Sequence, residues 1–154
     1  MNQKDTGIDL DELTLEDFPL KTFDKVRYAD TDRQGHVNNA TFATFLETGR
    51  VEILYHPDFP ILTEGASFVI ASLKVAFLKQ VTWPGRVKIG TGIGKIGNSS
   101  IRFFQKLFQD GHCVAQAETV IVQIDNERGR SLPLTEQARN TLATWGLNSA
   151  EKHR

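Results

Sequence analysis

Hydrophobic and polar positions recur along this chain with two different periods. Between residues 40 and 55 the apolar side chains Phe42, Phe45, Leu46, Ile53 and Leu54, with Gly49 among them, return at helical spacing, while Thr44, Glu47, Thr48 and Glu52 fall largely elsewhere. That predicts a helix of about four turns. Asn38 or Asn39 can cap its start, and His56-Pro57 closes it, because the residue before a proline avoids helical dihedrals. Upstream, residues 21–29 carry the β-favouring Thr22, Phe23, Val26 and Tyr28 and predict a strand. The strand runs into a polar loop over 30–39, where Gly35 and paired asparagines signal a turn.

Downstream the period changes to two. Val69, Ala71, Leu73, Val75 and Phe77 alternate with Ser72 and Lys74, which predicts a strand with one buried face. Val87, Ile89 and Ile93 repeat the pattern after Pro84-Gly85. Two further runs, 100–109 and 113–124, flank Asp110-Gly111, a strong hairpin signal. Pro133 and a capping Thr135 then precede Ala138, Leu142 and Trp145 on one face of a short closing helix. One long helix followed by antiparallel strands argues for an α+β fold, with the helix packed on one sheet face.

Composition supports one soluble globular domain: 154 residues, 40% hydrophobic and 24% charged. A chain of this length buries roughly 68–70% of its unfolded surface and needs no staple. Cys113 is the only cysteine, so no intrachain disulfide is expected, and the four histidines are scattered, so no metal site is expected either. A net charge of −1 gives no field to gather nucleic acid. No apolar run exceeds four residues and no secretory leader pattern opens the chain, so neither a membrane span nor export is expected, and the expected location is the cytoplasm. Residues 1–20 carry six acids against Lys4 and read as a loosely held acidic lead-in; 21–147 read as the domain and 148–154 as a polar tail.

Two motifs mislead. Gly92-x-Gly94-x-x-Gly97 matches a dinucleotide fingerprint, but strand follows strand here, whereas that fingerprint needs a strand feeding a helix. Gly90, Gly92 and Gly94 instead leave one strand face bare, which predicts close approach of another backbone or a ligand. Asp30-x-Asp32-x-Gln34-Gly35 imitates half a calcium loop, yet Thr41 stands where a bidentate Glu is required.

The remaining concentration of chemistry is the loop from Arg27 to Phe42, with Asp30, Asp32, His36, Asn38 and Asn39 between a strand and a helix. Such a loop can set a carboxylate beside the unpaired backbone N–H groups of a helix start. The N–H groups would stabilise an oxyanion while the carboxylate attacks or activates water. The same residue types also build turns and caps without catalysis.

The stretch Tyr28-Ala-Asp30-Thr-Asp32-x-x-Gly35-His36-Val37-Asn38-Asn39-Ala40, followed by Glu47-x-x-Arg50, resembles the hotdog-fold acyl-CoA thioesterases of the 4-hydroxybenzoyl-CoA thioesterase type. Its His-Val-Asn-Asn segment is also similar to plant acyl-carrier-protein thioesterases. The resemblance implies a hotdog fold over roughly residues 21–145. It makes Asp32 the catalytic carboxylate, in its charged form beside the helix start, and Asn39 the residue whose backbone N–H polarises the thioester carbonyl. His36 matches the plant-type His, which orients substrate or carboxylate; the alternative is a loop His bonded to backbone. Asp30 is read as a turn former.

Gln34 stands where the plant pattern has Asn, and with Asn38 it is a candidate for substrate contact. Phe42 and Phe45 either line an acyl pocket or are plain core. Glu47 is either half of an exposed ion pair with Arg50 or, by the resemblance, close to the active site. Ser99 and Ser100 match the segment that approaches pantetheine and phosphates; Gly97 and Asn98 occupy the place of an Arg pair found in some members, and only Lys95 is basic nearby.

The expected activity is hydrolysis of an acyl thioester of coenzyme A or of an acyl-carrier protein. No cofactor or metal is implied, coenzyme A entering only as part of the substrate. The resemblance also implies a homodimer or homotetramer with shared active sites. Competing readings are a hotdog module that binds acyl-CoA without turnover and an enoyl-thioester hydratase of the same fold.

Overall fold

The computed structural model describes residues 6–147; the tail expected at 148–154 lies outside the described residues. The elements are β1 (Leu20–Lys25), α1 (Asn39–Leu54), β2 (Ala66–Phe77), β3 (Arg86–Ile96), β4 (Ser100–Gln109), β5 (His112–Asp125) and α2 (Glu136–Ala143). The strands form one antiparallel sheet in the order β1-β3-β4-β5-β2. This is the expected α+β hotdog architecture. Asp110 and Gly111 turn the β4–β5 hairpin with φ of 51° and 81°, the left-handed pair that a two-residue hairpin turn requires.

Helix α1 lies on the inner face of the sheet, over β1, β3 and β4. Phe42, Phe45 and Leu46 pack on Val87, Ile89, Leu107, Ala115 and Ala117, and Ile53 and Leu54 pack toward Ile93, Ile101 and Phe103. The helix is drawn tight at Gly49. There a Cβ would collide with the Thr91 hydroxyl and sit 2.8 Å from the Gln105 amide. Gln105 uses that closeness: its Nε2 donates to the Leu46 carbonyl at 2.8 Å and to Thr91 Oγ1 at 2.9 Å. Helix α2 starts at the Thr135 cap, which accepts from Ala138 N at 3.0 Å, and buries Ala138 and Leu142; Trp145 lies past its end, half-buried. Among the described residues, no helix is long and apolar enough to cross a membrane.

Four expectations need correction. The first strand ends at Lys25 rather than 29, because Asp30 bonds back to Arg27 N and winds Tyr28–Asp30 into a single 3₁₀ turn. Residues 8–18 are not loosely held. Ile8, Leu10, Leu13 and Phe18 are buried on the outer sheet face, and buried Lys106 donates to the carbonyls of Leu10 and Leu13, both at 2.9 Å. The bare glycine face of β3 receives side chains rather than backbone or ligand: Phe18 packs at Gly90, Leu147 at Gly92 and the Phe104 ring at Gly94.

The fourth correction concerns β2. A bulge between Ile70 and Ser72 shifts its phase, so Leu73, Val75 and Phe77 share the inner face with Ile70 rather than with Val69 and Ala71. Nor is that face buried: β2 is an edge strand that α1 covers only in part, leaving Ile70, Leu73 and Phe77 40–50% exposed.

Candidate active site

The loop between β1 and α1 is held by its backbone. Val37 N donates to the Val81 carbonyl at 2.8 Å, His36 bridges to Thr82, and Gln109 grips Thr82 from both sides of its amide, accepting from Thr82 N at 3.0 Å and donating to Thr82 O at 2.9 Å. Asp30 is the buried anchor. Its carboxylate accepts Arg27 N and Arg27 Nη2, each at 2.8 Å, and its carbonyl accepts Asn38 N at 2.9 Å. Burial by itself would raise the Asp30 carboxyl, but the side-chain and backbone hydrogen bonds from Arg27, with its charge, outweigh burial and hold it below the usual carboxylate range. Asp30 is thus a turn former.

Asp32 is exposed, unlike Asp30. Its Oδ1 accepts Gln34 N at 2.8 Å and His36 N at 3.2 Å, which orients the carboxylate without covering it. Asn38 is the cap of α1, with Oδ1 accepting Ala40 N at 2.9 Å. The cap takes the N–H of Ala40 and passes over that of Asn39, which has no acceptor among the described residues. A first-turn N–H of this kind carries the positive end of the helix dipole.

Asp32, Gln34, His36, Asn38, Asn39 and Phe42 line a single cleft of about 490 Å³. The size suits a small-molecule ligand. Phe42 serves both as core and as cleft wall: it is buried and also lines the cavity. The other wall went unread in the sequence. It comes from the end of β2 and the residues after it, Phe77, Leu78, Lys79 and Gln80. Phe77 stood only as the last beat of an alternating strand, and nothing local to it signals a cleft.

Three candidates lie away from the cleft. Glu47 is exposed on the outer side of α1, and Arg50 turns from it to the buried Gln105, with Nη1 at 3.3 Å from Oε1. Glu47 and Arg50 form no ion pair within 4.0 Å among the described residues. Burial pushes the Arg50 guanidinium below its usual range, with the Glu47 charge opposing. Ser99 and Ser100 sit where β4 begins, their carbonyls accepting Gln123 N at 2.9 Å and Gly97 N at 2.7 Å. Gln109, at the other end of the ten-residue β4, bonds to Thr82, which bridges to His36 of the Asp32 loop. Roughly 30 Å of strand separates these serines from the cleft of the same chain.

An exposed carboxylate and a helix-start residue with an unused N–H, both lining one cleft, are the groups that acyl transfer requires. The profile of the Thioesterase-like superfamily matches residues 26–142. The chain belongs to that superfamily. This member is 28% identical over 115 residues to the acyl-CoA thioester hydrolase YbgC of Escherichia coli, a match that covers 71% of this chain and 86% of YbgC. Its fold superposes with a TM-score of 0.71 and 29% identity on a thioesterase of Thermus thermophilus complexed with coenzyme A and Zn, covering 84% of this chain and 96% of that one. The PA5185 protein of Pseudomonas aeruginosa shares the fold at a TM-score of 0.76 and 24% identity, covering 86% and 95%. The superfamily match begins at residue 26, so the packed segment 8–18 on the outer face lies outside it.

Proposed function

We propose that this thioesterase hydrolyses acyl thioesters of coenzyme A, with Asp32 as the carboxylate and the Asn39 N–H as the oxyanion donor. One observation carries the reading: Asp32 and Asn39 line the same cleft, and the Asn38 cap leaves the Asn39 N–H unused. The thioester carbonyl oxygen takes the Asn39 N–H as it becomes an oxyanion. Asp32 then either adds to the carbonyl carbon or removes a proton from a water that adds. The C–S bond breaks, the thiolate leaves and takes up a proton, and in the first case water opens the resulting anhydride to free acid and Asp32 carboxylate. Carboxylate and peptide N–H suffice for these steps, so no metal or cofactor is required. Gln34, His36 and Asn38 line the polar side of the cleft and are the substrate contacts in this reading.

Relatives named as acyl-CoA hydrolases support coenzyme A as the carrier; an acyl-carrier protein presents the same thioester and is the second substrate to try. We further propose that a second copy of the chain pairs along β2, which exposes Ile70, Leu73 and Phe77 and whose last residue, Phe77, lines the cleft, giving a homodimer. In such a dimer Ser99, Ser100 and Glu47 would serve the partner's cleft rather than their own. A reducing compartment suits the free thiol of Cys113, and we place the chain in the cytoplasm.

The test is thiol release from short, medium, long and aromatic acyl-CoAs and from acyl-carrier-protein thioesters, comparing the unaltered chain with Asp32→Asn and Asp32→Ala. Hydrolysis that falls at least ~100-fold in both variants is the expected result. Binding of acyl-CoA without release from any thioester would overturn hydrolysis in favour of a binding module. With a 2-enoyl-CoA added to the panel, loss of conjugated-enoyl absorbance without thiol release would overturn it in favour of hydration.

A further inference from the structure

We infer that Phe77 sets the length limit of the acyl group and makes this a cleft for compact acyl chains, an inference that rests on the thioesterase reading above. The argument begins with the sheet register. At the cleft end of the sheet Phe77 pairs with Ala115 and Val75 pairs with Ala117, so two alanines form the floor of the inner face there. Both are buried, in the same core cluster as Phe42 and Phe45. Phe42, Phe45 and Leu46 of α1 pack down onto these methyl groups.

The Phe77 ring stands at the open edge of that packing and lines the cleft. It meets Phe42 edge-on, with ring centroids 5.1 Å apart and planes at 71°. The two rings differ in what they offer a ligand: Phe42 is 2% exposed, whereas Phe77 is 49% exposed while lining the cleft that holds Asp32. Phe77 is therefore the aromatic surface an acyl chain meets. The ring is not core. It lies on an edge strand and outside the buried clusters, which count only Val75 of β2 against the helix-side core. Its bulk serves the cleft more than the fold, and a smaller side chain there lengthens the cleft along Phe42 while Ala115 stays covered by α1.

The experiment measures kcat/KM for butyryl-, hexanoyl- and decanoyl-CoA with the unaltered chain, Phe77→Ala and Phe77→Leu, with elution volume recorded for each. The unaltered chain is expected to prefer butyryl or hexanoyl, and Phe77→Ala to raise the decanoyl-to-butyryl ratio at least ~10-fold, the lower end of what one methylene in a pocket is worth. Phe77→Leu should fall between. A ring that only supports the fold or the edge would change all three rates in parallel, with or without a shift in elution, and that outcome overturns the inference. So does an unaltered chain that already prefers decanoyl. Hydrolysis with an unmoved ratio rejects the length limit and leaves the thioesterase reading standing; no hydrolysis of any thioester by the unaltered chain rejects that reading and the length limit with it.

Discussion

Asp32 and His36 hold each other through main-chain groups: Asp32 N donates to the His36 carbonyl at 2.8 Å, and His36 N donates back to Asp32 Oδ1 at 3.2 Å. The carboxylate is therefore aimed by the backbone of the histidine, while the imidazole makes no hydrogen bond among the described residues. Asp32→Asn keeps an oxygen for both N–H donors and removes only the charge.

The first prediction separates these two residues. His36→Ala retains the N–H that orients Asp32, so its loss of kcat/KM should be at least ~10-fold smaller than that of Asp32→Asn, a variant that forfeits a general-base contribution of about 100-fold or more. Parallel kinetics on the two variants checks this, and equal losses would give the imidazole a direct part in the reaction.

Asp30 predicts a pH dependence of stability. Its folded carboxyl lies below the ordinary range because Arg27 hydrogen-bonds and pairs with it. A depressed carboxyl stabilises the fold above its unfolded value, about 3.9, and that stability is lost as pH falls through the lower folded value. Asp30→Asn should melt below the unaltered chain at pH 7, and the gap should narrow as the pH is taken under about 4. A gap that holds constant down to pH 3 would contradict it.

Gly49→Ala sets propensity against packing. In an exposed helix interior the change gains roughly 1 kcal/mol, but here the new methyl meets the Thr91 hydroxyl and the Gln105 amide on the sheet. Overpacking of that kind costs about 1–3 kcal/mol. Both partners are buried and hydrogen-bonded to each other, so neither has room to yield. A denaturant melt should show net destabilisation; a gain would contradict the close approach of α1 to Thr91 and Gln105.

The edge of β2 gives the fourth. Ile70→Lys with Leu73→Lys places two charges on the exposed inner face of the edge strand without touching the core, since those residues are 50% and 40% exposed. The unaltered chain should elute as a dimer and the double variant at half that mass. A monomer in both cases would remove the second copy from the proposal.

Residues 28–42 were readable as a site because their signals are local. Asx turns, a Gly at φ 79° at Gly35, and an Asn cap each act within four residues, so their chemistry is written consecutively in the chain. The opposite wall of the cleft was not readable: Phe42 and Phe77 are thirty-five positions apart in the numbering, and only the β2–β5 register decides that their rings meet.

Local patterning was enough to place the long helix, the β4–β5 hairpin and the loop that joins strand to helix. Helical spacing through α1, the Asp110-Gly111 turn and the polar run before Asn39 depend on neighbours a few bonds away. The tertiary structure decided which faces those elements share. One bulge at Ile70/Ser72 inverted half of a strand whose alternation looked continuous, because a period of two cannot report an inserted residue. The glycine face of β3 found Phe18 and Leu147, and Lys106 found the carbonyls of Leu10 and Leu13, across separations that no periodicity spans. Phe77 reached the cleft for the same reason: an edge strand with one partner takes its place from register and packing, which exist only once the sheet has closed.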